Sequence, residues 1–125
     1  MDDYEPVIFI SVESGDDLIV SFFVVSPDDP TDGRSLILMR SPKWDSLLPE
    51  WERRVRVSDE NLTDEEERED NFLERIRLGR STAEIVSTYY CRKLDLRKIE
   101  KSELKAAKKL LKKMNYDKHF KLEVA

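Results

Sequence analysis

The first half of the chain places apolar residues in short runs that lack a helical period and are interrupted by turn formers. Residues 7–12 and 18–25 flank a polar turn that contains Gly15, which predicts a β-hairpin. In the second run both alternating faces are apolar, as is typical of an interior strand. Residues 27–33 hold two prolines and a glycine and predict a loop, after which residues 35–40 form the next strand.

Large apolar residues recur at spacings of three, one and three over residues 43–51, which fits one helical turn. The residues concerned are Trp44, Leu47, Leu48 and Trp51. Residues 53–58 then alternate basic and apolar side chains, as a half-buried strand does.

Residues 59–70 contain eight acidic residues and one base, and we expect an exposed loop or a frayed helix there. A capping-box pattern near the start of this stretch also allows a helix over residues 64–78. The competing interpretation, which we favour, is a hairpin in which residues 72–78 pair with residues 82–93 across Gly79. The β-branched and aromatic residues in the second of these segments suit a strand.

The clearest predicted element is an amphipathic helix over residues 102–115, with Ser102 as N-cap and Asn115 as stop. Its apolar arc holds Leu104, Ala107, Leu110, Leu111 and Met114. That arc needs a sheet to cover, and residues 120–124 alternate as a terminal edge strand. The sequence therefore predicts an α+β fold: a mainly antiparallel sheet of five to seven strands with the C-terminal helix packed on one face.

At 125 residues the chain has the length of one domain, so we assign residues 1–125 to a single unit. No apolar run approaches the length of a membrane span, and the N-terminus is acidic where a secretory signal is basic and then apolar. The lone Cys91 is expected to be an ordinary thiol. These features favour a cytoplasmic protein. Its net charge of −5 conceals a strong asymmetry, since residues 1–33 carry nine acids and no base, whereas residues 91–125 carry twelve bases and five acids.

Most residue sets that catalysis requires are missing from the sequence. His119 is the only histidine, so no zinc-ligand pattern is present, and a solvent-facing or terminal packing role is expected for it. The three glycines lie at predicted turns and form no phosphate-binding loop. Carboxylates are abundant, but they lie in runs expected to be exposed, where burial does not raise a pKa. We therefore expect no cofactor, no metal and no enzymatic activity.

The lysines of the predicted helix form a basic face opposite its apolar arc. They are Lys101, Lys105, Lys108, Lys109, Lys112 and Lys113. Such a face suits either binding to a nucleic acid or simple solvation. We favour solvation, because lysines without neighbouring arginines and aromatic residues offer no base-stacking platform and the net charge is acidic.

Two tryptophans lie in a segment bounded by Pro42 and Pro49, and tryptophan side chains dominate many binding hot spots. Since a small domain usually buries its tryptophans, we expect both in the core. The candidate partner-binding residues are Trp44, Trp51, Arg53, Arg54 and Arg56. The sequence favours a protein-binding module of a regulatory, inhibitor or immunity type with an unidentified protein partner. Nucleic-acid binding through the lysine face is the alternative.

Overall fold

Short apolar runs become eight strands, and the amphipathic segment becomes a helix, in a computed structural model that describes residues 4–29, 31–60 and 70–124. The elements are β1 Glu5–Ser14, β2 Leu18–Val25, β3 Gly33–Arg40, β4 Arg56–Asp59, β5 Leu73–Leu78, β6 Thr82–Ser87, β7 Cys91–Asp95, α1 Lys101–Met114 and β8 Lys121–Val124. None of the helical segments in these ranges has the length and apolar character that crossing a membrane requires.

The strands form one sheet in the order β4-β3-β2-β1-β7-β6-β5-β8. The β1–β7 and β5–β8 pairs are parallel, and the other neighbours are antiparallel. The predicted fold class is confirmed, with one helix packed on a mainly antiparallel sheet, although the described residues form one strand more than the upper bound of the prediction. β2 has the predicted bounds and lies between β1 and β3, and β8 is the predicted terminal edge strand.

The helix packs against one face of the sheet, which we call the inner face, and the hydrophobic core lies between the helix and this face. Its buried side chains are Ala107, Leu110, Leu111 and Met114. They join the inward side chains of β1, β2 and β3, such as Ile10, Phe22 and Leu38, in one cluster. The predicted apolar arc is therefore confirmed as the packed face.

The start of the helix differs from the prediction, while its end agrees with it. α1 begins at Lys101, so the predicted N-cap Ser102 is wrong, and Glu100 occupies that position. The Glu100 backbone N–H donates to the Glu103 carboxylate at 3.4 Å, in a capping box that satisfies free backbone N–H groups at the helix start. Asn115 ends the helix as predicted, and its N–H donates to the carbonyl of Leu111 at 3.1 Å.

The sheet curls so that β4, at one end of the strand order, meets the beginning of β5. The Val57 N–H donates to the carbonyl of Asn71 at 2.9 Å, and the Leu73 N–H donates to the carbonyl of Val55 at 2.8 Å. These two hydrogen bonds flank an antiparallel β-bridge between Arg56 of β4 and Phe72, the residue before β5. Strands that are distant in the sheet order therefore share one core.

A buried ion-pair cluster reinforces this closure and corrects one prediction. Asp59, the first residue of the predicted exposed acidic stretch, is instead the buried last residue of β4. Asp59 forms an ion pair with Arg92 on β7. The Nε of Arg92 also donates a hydrogen bond to Glu5 on β1 at 2.7 Å. A carboxylate is buried without a large penalty only when it is paired. Residues 61–69 of the acidic stretch lie outside the described residues.

The hairpin interpretation of the region around Gly79 is confirmed. β5 and β6 pair antiparallel on either side of residues 79–81, so the alternative helix is wrong over residues 73–78. The segment predicted as a single partner strand is two strands, because residues 88–90 turn the chain from β6 into β7.

Candidate functional site

After β3 the chain leaves the sheet and makes two short 3-10 turns, Pro42–Leu47 and Glu50–Glu52. We call residues 42–52 the tryptophan loop. Pro42 begins the first turn and Pro49 precedes the second, at positions where a backbone N–H has no partner within the turn and the fixed φ of proline suits the start of a helix. The prolines therefore specify the backbone of this loop locally.

The tryptophan loop presents large apolar side chains to solvent. Trp44 is 49% exposed, Leu47 is 74% exposed and Trp51 is 60% exposed. The expectation that both tryptophans belong to the core is wrong, because inward side chains of the sheet and of α1 already fill that core. In a 3-10 turn, residues three apart lie on the same side, so Trp44 and Leu47 project together.

Trp51 and two predicted arginines meet around the ring of Phe72. The indole of Trp51 contacts that ring edge to face, with centroids 6.4 Å apart. The guanidinium groups of Arg54 and Arg56 lie 5.1 and 5.8 Å from the ring centroid. Arg53 instead donates from Nε to the carbonyl of Leu48 at 2.9 Å and ties down the loop. Sequence reasoning missed Phe72, because its place depends on the closure between β4 and β5, which leaves no local signal.

A cleft of about 270 Å³ connects Trp44 with the arginines, and its walls include Met39, Leu48, Arg54 and Arg56. Met39 belongs to a set of apolar side chains on the outer face of the sheet, opposite the helix. The set, which we call the outer apolar face, comprises Phe9, Ile19, Phe23, Ile37 and Met39. Phe9 and Phe23 stack with their centroids 5.0 Å apart. The apolar residues on both faces of β2 were the sequence signal for this surface.

Arg40, at the end of β3, fixes the tryptophan loop to the C-terminal part of the fold. Its side chain is buried, and its two terminal nitrogens each donate to one oxygen of Asp117 at 2.8 Å. Nη2 also donates to Asp45 in the loop at 3.2 Å, and Nη1 donates to the carbonyl of Met114 at 3.2 Å. A single guanidinium therefore joins β3, the loop and the end of α1. The same hydrogen bonds from Arg40 hold the pKa of Asp117 well below its usual range.

The ring of Tyr116 lies against the Arg40 guanidinium, with the carbon of that group 4.2 Å from the ring centroid. The Tyr116 hydroxyl donates to Asp45, the carboxylate that Arg40 also binds. Burial and this hydrogen bond raise the pKa of Tyr116 to about 12. The phenol therefore stays protonated at neutral pH and acts as a hydrogen-bond donor that holds Asp45 in place.

His119 has the packing role that the sequence allowed, and its hydrogen bonds define its protonation. Nε2 accepts the backbone N–H of Val55 at 3.0 Å, so it carries no proton. The proton then lies on Nδ1, which donates to Asp117 at 2.7 Å. Burial lowers the pKa of His119, and the nearby charge of Arg40 acts in the same direction. The imidazole is therefore neutral and joins the segment before β8 to the segment that leads into β4.

The pH dependence of stability tests this assignment. Because the pKa of His119 is lowered in the fold, the unfolded chain binds a proton near its ordinary value of about 6.5 while the folded chain stays neutral. The free energy of unfolding should therefore be fully retained above about pH 6.5 and should fall below it, by at most about 1.4 kcal/mol per pH unit. Urea unfolding between about pH 7.5 and pH 5 measures this slope.

The matched variant is His119→Gln, which cannot titrate. Its free energy of unfolding should depend less on pH than that of the wild type over the same range. Equal slopes for the two proteins would show that His119 is not held neutral.

The predicted basic residues form two separate groups. On α1, Lys101, Lys105, Lys109, Lys112 and Lys113 are exposed, and Lys108 is half-buried. These lysines extend from the helix that covers the inner face of the sheet. Arg54 and Arg56 alternate with the buried Val55 and Val57, so they point away from that face. The lysine face and the arginines do not form one basic patch.

Cys91 is exposed, and in the described ranges no three His, Cys, Asp or Glu side chains are grouped so that they hold a metal ion. Comparison of the chain with protein-family models, with curated proteins and with solved structures gives no match in any of the three.

Proposed function

We propose that this protein is a protein-binding module and that the tryptophan loop, with Arg54 and Arg56 beside it, contacts the partner protein. The observation that supports the proposal is the exposure of Trp44, Leu47 and Trp51 within eight residues of chain. Single exposed apolar side chains are common on protein surfaces, but clusters of them mark interaction sites. In this proposal the protein acts by occupying a surface of its partner, as regulatory, inhibitor and immunity-type proteins do.

The side chains also indicate the chemistry of the partner. Tryptophan and arginine are the residue types most enriched in binding hot spots. The guanidinium groups of Arg54 and Arg56 stack on Phe72 and have no carboxylate within ion-pair distance among the described residues. Stacking leaves the edge of a guanidinium group available to bind a carboxylate. We therefore propose a partner surface that combines apolar side chains with Asp or Glu.

The loop is held in place before the partner arrives. Asp45 is bound by Arg40 and Tyr116, and the carbonyl of Leu48 accepts a hydrogen bond from Arg53. A surface that is already ordered loses less conformational entropy on binding, which strengthens affinity. This arrangement supports a role for the loop as a preformed contact surface.

The test is affinity purification of tagged protein from source cells, with proteins and nucleic acids both identified. A triple variant with Trp44→Ser, Leu47→Ser and Trp51→Ser removes the exposed apolar groups. Lys101→Ser, Lys105→Ser and Lys112→Ser form the matched control on α1. We expect a partner protein to copurify with the wild type and the control, and its recovery to fall at least about tenfold with the loop variant, because hot-spot losses commonly exceed 1.4 kcal/mol.

Thermal unfolding shows whether the loop variant remains folded. Equal recovery of the partner with the folded loop variant would place the contact surface elsewhere. Recovery of nucleic acid that is lost only in the lysine control would replace the proposal with the nucleic-acid alternative. At physiological salt we expect such binding to be weak, since the nine acidic residues of the segment 1–33 repel phosphate.

A further inference from the structure

Within the part of the chain that the structure describes, one edge of β1 has no neighbouring strand over most of its length. β1 pairs with β2 from Val7 to Ser14, but it pairs with β7 only at Glu5 and Pro6. Beyond Pro6, α1 packs on the inner face of the sheet and reaches this edge through the side chain of Glu103, which accepts the Ile10 N–H. An exposed strand edge presents backbone N–H and C=O groups that are able to pair with another strand.

A hydrogen bond shows which backbone groups of β1 point to this edge. The Ile10 N–H donates to Glu103 on α1 at 3.1 Å, so the backbone groups of Ile10 face the helix side. In an antiparallel strand, the residues whose backbone groups point to one side alternate. The N–H and C=O groups of Val12 and Ser14 therefore point to the same edge, away from β2, and the pairing with β7 does not extend to them.

A groove of about 520 Å³ runs along this part of the edge, between β1 and α1. Val12 and Ser14 form its strand side. The helix side consists of residues at spacings of three, one and three, namely Ala106, Lys109, Leu110 and Lys113. Val12 is 42% exposed, so the groove has an apolar floor that is open to solvent. Its volume lies within the range of about 300–1,000 Å³ that is common for ligand sites.

The charges around the groove favour an acidic occupant. Lys109 and Lys113 lie along the helix side, and Lys113 donates to the Ser14 hydroxyl at 2.9 Å. Glu13 is paired with Ile19, so its side chain lies on the outer face of the sheet and does not oppose these lysines. The groove therefore combines free backbone pairing groups, an apolar floor and positive charge.

We propose that an extended acidic peptide segment of a partner protein binds in this groove and adds a strand to the edge of β1 at Val12 and Ser14. Backbone hydrogen bonds supply affinity in this mode of recognition, and side-chain pockets supply specificity. The carboxylates of the peptide face Lys109 and Lys113. This site is separate from the tryptophan loop, and the proposal stands without it.

The test uses a fluorescein-labelled peptide of alternating valine and glutamate. Two matched probes accompany it: one with lysine in place of glutamate, and one with alternate backbone amides methylated so that strand pairing is blocked. We expect only the unmethylated acidic peptide to bind. Its binding should slow amide hydrogen exchange at Val12 and Ser14, and it should leave Ile10 unchanged because that N–H is already bonded.

Two charge-reversal variants separate the groove from general electrostatic attraction. Lys109→Glu with Lys113→Glu changes the groove, whereas Lys101→Glu with Lys112→Glu makes the same change of net charge elsewhere on α1. We expect the first pair to weaken peptide binding at least tenfold and the second to have less than a threefold effect. All four lysines are at least partly solvent-exposed, so both variants should fold.

Several results would overturn the proposal. Equal weakening by the two variants would mean that the peptide follows the overall charge of the helix. Equal binding of the methylated peptide would exclude strand addition, as would unchanged exchange at Val12 and Ser14. Absence of binding at millimolar peptide concentration, or binding of a single-stranded oligonucleotide that outcompetes the peptide, would assign no peptide site to this groove.

Discussion

Replacing Leu111 with alanine is expected to lower the free energy of unfolding by about 2–5 kcal/mol, the usual cost of removing a large buried aliphatic side chain. Leu111 is fully buried at the centre of the contact between α1 and the sheet. Its loss leaves a cavity as well as removing apolar surface from the core. Urea unfolding at neutral pH measures the change as a shift of the midpoint at constant slope.

The control for this experiment lies two residues earlier on the same helix. Lys109→Ala changes an exposed residue and is expected to alter the free energy of unfolding by less than about 0.5 kcal/mol. Alanine is a slightly better helix former than lysine, so any small change should stabilise the protein. Equal midpoints for Leu111→Ala and Lys109→Ala would show that the packed face of α1 is wrongly assigned.

Arg40→Met is expected to cost about 3 kcal/mol, because methionine fills similar space but cannot donate to Asp117, Asp45 and the carbonyl of Met114. Removal of the buried guanidinium leaves two partly exposed carboxylates and the carbonyl of Met114 without their donor. Arg34→Met is the matched control, since the ion pair that Arg34 forms with Asp32 is exposed. Exposed pairs contribute at most about 1 kcal/mol.

The pH dependence of the Arg40 effect provides an independent check. Arg40 lowers the pKa of Asp117 in the fold, so this pair stabilises the protein fully above the ordinary carboxyl pKa of about 3.9. The stabilisation is lost as the pH falls through the lowered value. The difference in stability between the wild type and Arg40→Met should therefore shrink in acid. A difference that stays constant down to about pH 2 would contradict the role of Asp117.

Elements with a strong local pattern could be predicted from the sequence. The apolar residues on both faces of β2 predict its bounds correctly, and the apolar arc of α1 identifies the buried face of the helix. The β-branched and aromatic content around Gly79 favours a hairpin over a helix, as the structure has it. In each case the signal lies within a few residues of chain, so a single sequence contains it.

Features that depend on contacts between distant segments could not be predicted. Arg40 and Asp117 are separated by 77 positions, and Arg92 and Glu5 by 87 positions. No periodic pattern in the sequence indicates either pair, because each forms only when segments that are distant in the chain come together in the fold. The same limitation affected the candidate site. Residue type alone predicts that the tryptophans lie in the core, whereas the pairing of β4 with the segment before β5 places Phe72 against Trp51, whose indole is exposed.

The strand order has a consequence for folding during synthesis. β1 to β4 pair as neighbours in the chain, so this four-stranded unit is able to form as soon as residue 59 leaves the ribosome. The helix that covers its inner face ends at residue 114, so at ordinary translation rates the cover arrives several seconds later. During that interval Val20, Phe22 and Leu38 are left uncovered by the helix on the nascent chain. The growing chain therefore passes through an aggregation-prone stage in which a chaperone that shields apolar surface would raise the yield of folded protein.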